Sequence, residues 1–372
     1  MSNEKERDIE EVRNRYNYGI DLLKIMAMMF IVMHHILGHG GVLNGNLMSV
    51  SYNFLWSLEA ILVCSVDCFA MVSGFVGYKQ NKKVKYSRYF ELWFQVTFYS
   101  VGITVIMLFL SNEVGIFDLA KSFLPVTFNQ YWYFSAYTGV FLMMPFLNFI
   151  VDKMEADNLR KAILVCILAF SFYASVGSRW SDPFKLNNGY SIVWLSFMYL
   201  LGAILKKYKF HEKYSTKKTV TFLLVCFGIK ILWIYGIGKW IGHGFSGVSY
   251  SYLAPTTVGI SIGLIMIFSK IRAGEYLKKI VTSLGPTTFG VYLLHEQIFF
   301  SKNFITDKFV FVTQYNLGVI ILVLVGSMIV IFLSGSLIDR IRAYVFRVVK
   351  VRKICQKIEE IFDKIFVKLQ ML

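Results

Sequence analysis

Apolar runs of about twenty residues recur along the whole sequence, and this feature decides the class of fold. A helix needs about 20 mostly apolar residues to cross the hydrocarbon core of a bilayer. Backbone amides cannot stay unpaired in lipid, so a crossing run is a helix unless its strands close into a barrel. Barrel strands are short and alternate apolar with polar residues; these runs do not alternate. Ten spans are placed at about 18–38, 54–77, 89–111, 131–151, 160–177, 189–206, 217–237, 250–269, 286–304 and 315–338. Composition agrees: 56% of the 372 residues are hydrophobic and only 17% charged, against about a quarter charged in soluble domains. The expected fold is an all-α integral membrane protein, a bundle of about ten transmembrane helices.

A net charge of +16 would suit nucleic acid, but its placement points to a membrane. Lys and Arg gather in the first seventeen residues, in 79–88, 152–161, 206–218 and 270–279, and beyond 339. Those segments hold 31 of the 39 basic residues, and the alternate loops hold 6. Basic loops stay on the cytoplasmic face, which puts both termini there and calls for an even number of spans. The expected organisation is a cytoplasmic segment 1–17, a transmembrane domain 18–338 and a basic amphipathic cytoplasmic tail 339–372. The tail mixes Ile, Val and Phe with Arg and Lys at helical spacing, as does a helix lying on an anionic inner leaflet. The five cysteines read as free thiols, four of them inside apolar runs. No signal-peptide cleavage site follows the first run, so that helix is expected to be retained.

Ionisable groups inside spans cost free energy and are functional candidates by default. The first span carries Asp21, Lys24, His34 and His35. Lys24 and His35 are eleven residues apart, which returns to nearly one helix face about 16 Å further along. One face therefore presents a cation near the cytoplasm and an imidazole deep in the membrane. Asp21 is spaced to pair with Lys24. Lys24 either snorkels to the inner headgroups or holds an anionic ligand. His35 is suited to general-base work, with His34 a quarter turn away as a possible partner in it. Glu59 and Asp67 share a face of the second span, and either could orient an imidazole as a carboxylate does in a hydrolase triad. Lys85 and Arg88, at the inner start of the third span, suit phosphate as well as topology. His295 and Glu296 form a second polar spot in the ninth span, and Lys230 stands isolated in the seventh. Trp132 and Tyr133 read as an interfacial belt or as a platform for stacking a sugar. No nucleotide-binding loop, dinucleotide fingerprint or zinc motif is present, and no metal site is expected.

Taken in order, these segments resemble the membrane acyltransferase-3 family, which O-acetylates bacterial surface polysaccharides. The likeness covers roughly residues 15–340. Its marks are Lys24 and His35, where that family carries Arg, ten residues and His; Val66-Asp67-Cys68-Phe69 with Ser73-Gly74-Phe75; and Lys85-Tyr-Ser-Arg88, where the family has two Arg. Trp132-Tyr133 with Pro145, and Phe289 to His295, also look like family segments. Lys24 and Lys85 depart from the pattern: lysine keeps the charge but loses the rigid fork that grips phosphate. The extracellular esterase-like domain fused to some members is not seen, so direct transfer to the acceptor or to a separate partner is expected.

The resemblance implies an O-acyltransferase of a bacterial cell membrane, with no bound cofactor and acetyl-CoA (acyl-CoA) as co-substrate. The acceptor it implies is a saccharide or lipid-linked saccharide. On that reading His35 is the base, aided by Asp67, Glu59 or His34; Lys24, Lys85 and Arg88 hold the donor; and Trp132, Tyr133 and His295 face the acceptor. Membrane lipids are expected partners and nucleic acid is not. The rival readings are a multi-spanning transporter of small anions or lipid-linked sugars, and a sensor or scaffold working through its basic tail.

Overall fold

The computed structural model describes residues 16–81, 83–178, 180–241 and 247–370. Residues 1–15 of the expected N-terminal segment, and Lys82 and Arg179 of the loop charges, lie outside the described residues. Every regular element among the described residues is helical. The helices named below are α1 (Tyr18–Leu37), α2 (Ser49–Leu62), α3 (Cys64–Gly77), α4 (Tyr86–Leu110), α5 (Trp132–Lys153), α6 (Ala156–Cys166) and α7 (Ile192–Lys207). They continue with α8 (Thr216–Leu232), α9 (Pro255–Phe268), α10 (Glu275–Leu284), α11 (Thr288–His295), α12 (Ile298–Phe304), α13 (Leu317–Val348) and α14 (Val351–Gln370).

Eight helical segments among the described residues are long and apolar enough to cross a membrane. Two of the ten expected spans are not among them. The sixth is α7, whose 16 residues fall short of a full crossing. Its middle is packed among other helices, with Trp194 through Met198 all buried, while Ile192, Val193 and Lys206 at its ends are exposed. The ninth is broken at Glu296–Gln297 into α11 and α12. The Gln297 side chain caps α12, accepting from the amides of Phe299 and Phe300. The Tyr131 hydroxyl donates to Leu293 O, one of the carbonyls that the end of α11 leaves open. A further break at Val63 divides the second span into α2 and α3.

Interior and peripheral helices differ sharply in burial. In the most apolar stretch of α1, 67% of residues are buried inside the protein, and in α2–α3 72%. In α13 the share is 17%. α13 therefore presents most of its surface outward, as a lipid-facing helix does, and α1 runs through the middle. α1 begins at Asn17, whose Oδ1 accepts from Ile20 N and whose Nδ2 donates to Ser269 O, tying its start to the end of α9. α3 and α7 approach closely at small residues. A Cβ at Gly74 would lie 1.9 Å from Tyr199 O, and one at Gly202 1.8 Å from Met71 O. Small residues let membrane helices touch backbone to backbone, where dispersion stands in for the missing hydrophobic drive.

The basic segments meet at one end of the bundle. Lys207 Nζ donates to Val151 O, Tyr78 OH to Asp152, Lys270 Nζ to Tyr214 O, and Arg340 to Ser283. At the far end Asp307 N donates to His39 O, and Lys302 pairs with Glu113. α13 continues past the expected boundary at 338 as far as Val348. Asp339, 1% exposed, accepts there from Gln95, Tyr99 and both ends of the Arg342 guanidinium.

The α3–α7 contact leads to a first prediction. Gly74→Ala or Gly202→Ala forces the two backbones apart, at a cost on the order of 1–3 kcal/mol. Thermal unfolding of detergent-solubilised protein should show a lowered midpoint, and an unchanged midpoint would refute the close contact.

Candidate active site

The last turn of α1 places two adjacent imidazoles on different neighbours. His35 turns toward α11. Its Nδ1 lies 3.0 Å from His295 Nε2, and His295 Nδ1 lies 2.6 Å from Val291 O. A carbonyl only accepts, so His295 Nδ1 carries its proton, and neutral His295 offers Nε2 as an acceptor. His35 Nδ1 must then be the donor, which leaves His35 Nε2 as its basic nitrogen. The bonding pattern assigns this tautomer. Glu296 Oε2 lies 2.9 Å from His35 Nδ1, off the N–H axis and without a hydrogen bond of its own. It is a charge beside the ring. His34 faces α2 instead, with Glu59 Oε1 2.5 Å from its Nδ1. His39, one turn beyond, stacks parallel to His35 with ring centroids 4.8 Å apart.

Both histidines of the pair line a cavity of about 220 Å³, with Trp132, Tyr133, Tyr190, Tyr252, Tyr292 and Glu296 among its walls. A second cavity of about 430 Å³ adjoins it and shares His34, Tyr190 and Tyr252. Trp132, Tyr190 and Tyr252 form one aromatic cluster, with centroids 4.4 Å apart for the first two and 5.2 Å for the last two. The Tyr292 hydroxyl, buried against the first cavity, has no hydrogen-bond acceptor among the described residues.

At the basic end a larger cavity of about 880 Å³ is walled by Lys79, Lys83, Lys85 and Arg88, with Glu359 and Asp363 of α14. One seam relates it to the histidine cavity. Val66 and Phe69 of α3 line the inner cavity, while Ser73 and Gly77, on the same face of that helix, line the basic one. Tyr133 of α5 serves the first, and Tyr137, Phe141 and Met144 serve the second.

The structure thus brings together His34, His35, Glu59, Trp132 and Tyr133, and separately Lys85 and Arg88. Three expected residues sit elsewhere. Asp67, expected to aid His35, accepts from Trp194 Nε1 at 2.9 Å and lines neither cavity. The carboxylate beside His35 is Glu296. Eight residues turn a helix roughly 80° past a shared face, so Asp67 meets Trp194 of α7 while Glu59 meets His34. His295, expected at the acceptor, is 0% exposed and stands behind His35. Lys24, expected at the donor, pairs with Asp21 at 2.6 Å and is absent from the walls of the basic cavity. Lys230 is fully buried and donates to Thr257 Oγ1. Spacing alone did not mark Glu296 as the partner of His35; adjacency to His295 was its one signal. Tyr190 and Tyr252 gave none.

A family model for an acyltransferase domain matches residues 17–336. The chain belongs to the acyltransferase-3 family. Comparison with curated proteins and with solved structures gave no match. Acyltransferase-3 membership and the eight apolar helices make the chain a multi-pass membrane acyltransferase. The match takes in both cavities except for the two acids of α14, which lie beyond it.

His35, His39 and Glu296 are close enough to be weighed as metal ligands. The His35 and His39 rings lie parallel, 7° apart, and stacked. A bound ion sits near the plane of each imidazole that holds it, which stacked rings do not offer to one ion. The arrangement favours proton handling.

Trp194 supplies a testable point. In Trp194→Phe the buried Asp67 loses its indole donor, at a cost on the order of 1–3 kcal/mol. Thermal unfolding should register a lower midpoint; equal stability would mean that the bond contributes nothing.

Proposed function

We propose that this acyltransferase moves an acyl group, acetyl in the simplest case, from acyl-CoA to a hydroxyl of a cell-surface polysaccharide or its lipid-linked precursor. The observation that carries the reading is the fixed tautomer of His35. Its Nδ1–H is held by His295 and its Nε2 is left as a base, in a cavity that shares a helix seam with a cluster of cations. In this scheme the basic end faces the cytoplasm, where coenzyme A resides. Lys85 and Arg88, with Lys79 and Lys83, take the phosphates, and the thin pantetheine arm follows the seam past Ser73 and Tyr137. Lys24 stays with Asp21. The acceptor comes from the other end, through the adjoining cavity, and its sugar ring stacks on the Trp132–Tyr190–Tyr252 cluster.

In the reaction His35 Nε2 takes the proton of the acceptor hydroxyl as the oxygen attacks the thioester carbonyl. The imidazolium that forms lies beside the Glu296 carboxylate, which stabilises it by charge. The carbonyl oxygen becomes an oxyanion, and the unpartnered Tyr292 hydroxyl is the donor for it. The C–S bond then breaks. The thiolate recovers the proton from His35, giving an ester and free coenzyme A thiol. His34 with Glu59 borders the route of the acceptor and orients it. The carrier reading loses its ground with the family assignment.

Activity of the purified protein in proteoliposomes, with labelled acetyl-CoA and a glycan acceptor, tests the scheme. His35→Ala should lower kcat by about 10²–10⁴-fold, and wild-type activity in that variant would end the assignment. Glu296→Gln should lower kcat while leaving the KM for acetyl-CoA unchanged. Tyr292→Phe should cost about 10²–10³-fold in kcat if its hydroxyl meets the oxyanion; a loss below about threefold would remove it from that role.

A further inference from the structure

The basic cavity has an unexpected wall. α14 follows α13 after a turn in which Lys350 takes a left-handed conformation, φ 59°, and it lies against α4. Phe362 stacks on Phe90 with centroids 5.6 Å apart, and Arg352 reaches Glu91 at 3.9 Å. Val351, Cys355, Glu359 and Asp363 recur every four residues, along a stripe that winds slowly round the helix. The first two are buried and anchor the start of the helix. The last two border the cavity that also holds Lys79, Lys83, Lys85 and Arg88. An amphipathic anchor would place its acids on the solvent side. Here two of the three acids of α14 line the cavity with the cations, and Glu360 does not. Among the described residues neither of the two forms an ion pair with a cation of the cavity wall, so they face those cations across the cavity.

We infer that Glu359 and Asp363 are affinity determinants for the donor: an acidic pair that opposes the polyanionic end of acyl-CoA in the basic cavity. Like charges raise the free energy of bringing phosphates to this site, and the effect falls with salt. The acids hold donor affinity below what four cations alone would give, and α14 tunes the site from outside the acyltransferase domain proper. The inference rests on the donor cavity proposed above.

The full chain in detergent, assayed with acetyl-CoA, tests it with three variants. Glu359→Gln with Asp363→Asn should lower the KM for acetyl-CoA by about three- to tenfold at the same kcat, as half-exposed charge contacts allow. The gap should narrow as salt is raised. Glu360→Gln, on the same helix but away from the cavity, should leave KM in place. Lys85→Gln with Arg88→Gln should raise KM. If the acidic double variant leaves KM unchanged or raises it while the cationic double variant raises it, the inference is overturned and the donor cavity stands. Should the cationic double variant also leave KM unchanged, the donor does not use this cavity, and both readings fall. An equal fall in KM with Glu360→Gln would mean that net charge acts rather than position, and would overturn the inference as well.

Discussion

A single line of bonds organises the centre of this protein: Val291 carbonyl, His295, His35. Each link forces the next. The carbonyl fixes one proton, that proton fixes a lone pair, and the lone pair fixes the proton on His35. In water such a chain would exchange among tautomers at little cost. Inside a bundle, a polar atom without a partner costs several kcal/mol, so one arrangement prevails. His295 thus sets the tautomer of His35 from a fully buried position.

The same cost explains how the other buried polar groups are distributed. Several find a partner on a neighbouring helix. Asp67 has Trp194, Lys230 has Thr257, and Asp339 has Gln95, Tyr99 and Arg342. These pairings consume charges that would otherwise compete for the imidazoles. Others lack a protein partner, among them Asp67 Oδ2 and Ser100 Oγ away from the cavity, and the Tyr292 hydroxyl and Glu296 Oε2 on residues that line it. Burial without satisfaction costs stability and is kept where something else can supply the missing contact.

The sequence made the helical membrane fold legible because hydropathy acts over twenty residues, and local errors average out. His35 was legible for a related reason: an ionisable ring in an apolar run has few bland explanations. Asp67 was assigned by counting a face shared with Glu59, but eight residues turn a helix roughly 80° past that face, and Asp67 accepts from Trp194. The ninth span was drawn as continuous, and its break at Glu296–Gln297 is what frees the carboxylate to stand beside His35. α7 matched a span in composition, but the helix itself runs for only 16 residues, which periodicity does not report. Helix phase is reliable only between breaks, and tertiary packing decides the breaks.

The two cavities at opposite ends of one seam have a consequence for traffic. On the proposed reading, neither the nucleotide nor the glycan has to cross the bilayer. The nucleotide is too charged to enter hydrocarbon, and the glycan is too large to pass between α3 and α5. Only the carbonyl and its short substituent travel, carried on a thread thin enough for packed helices to admit. In that scheme acyl groups would leave the cell without a pore, and the seal would be the bulk of the two molecules kept apart.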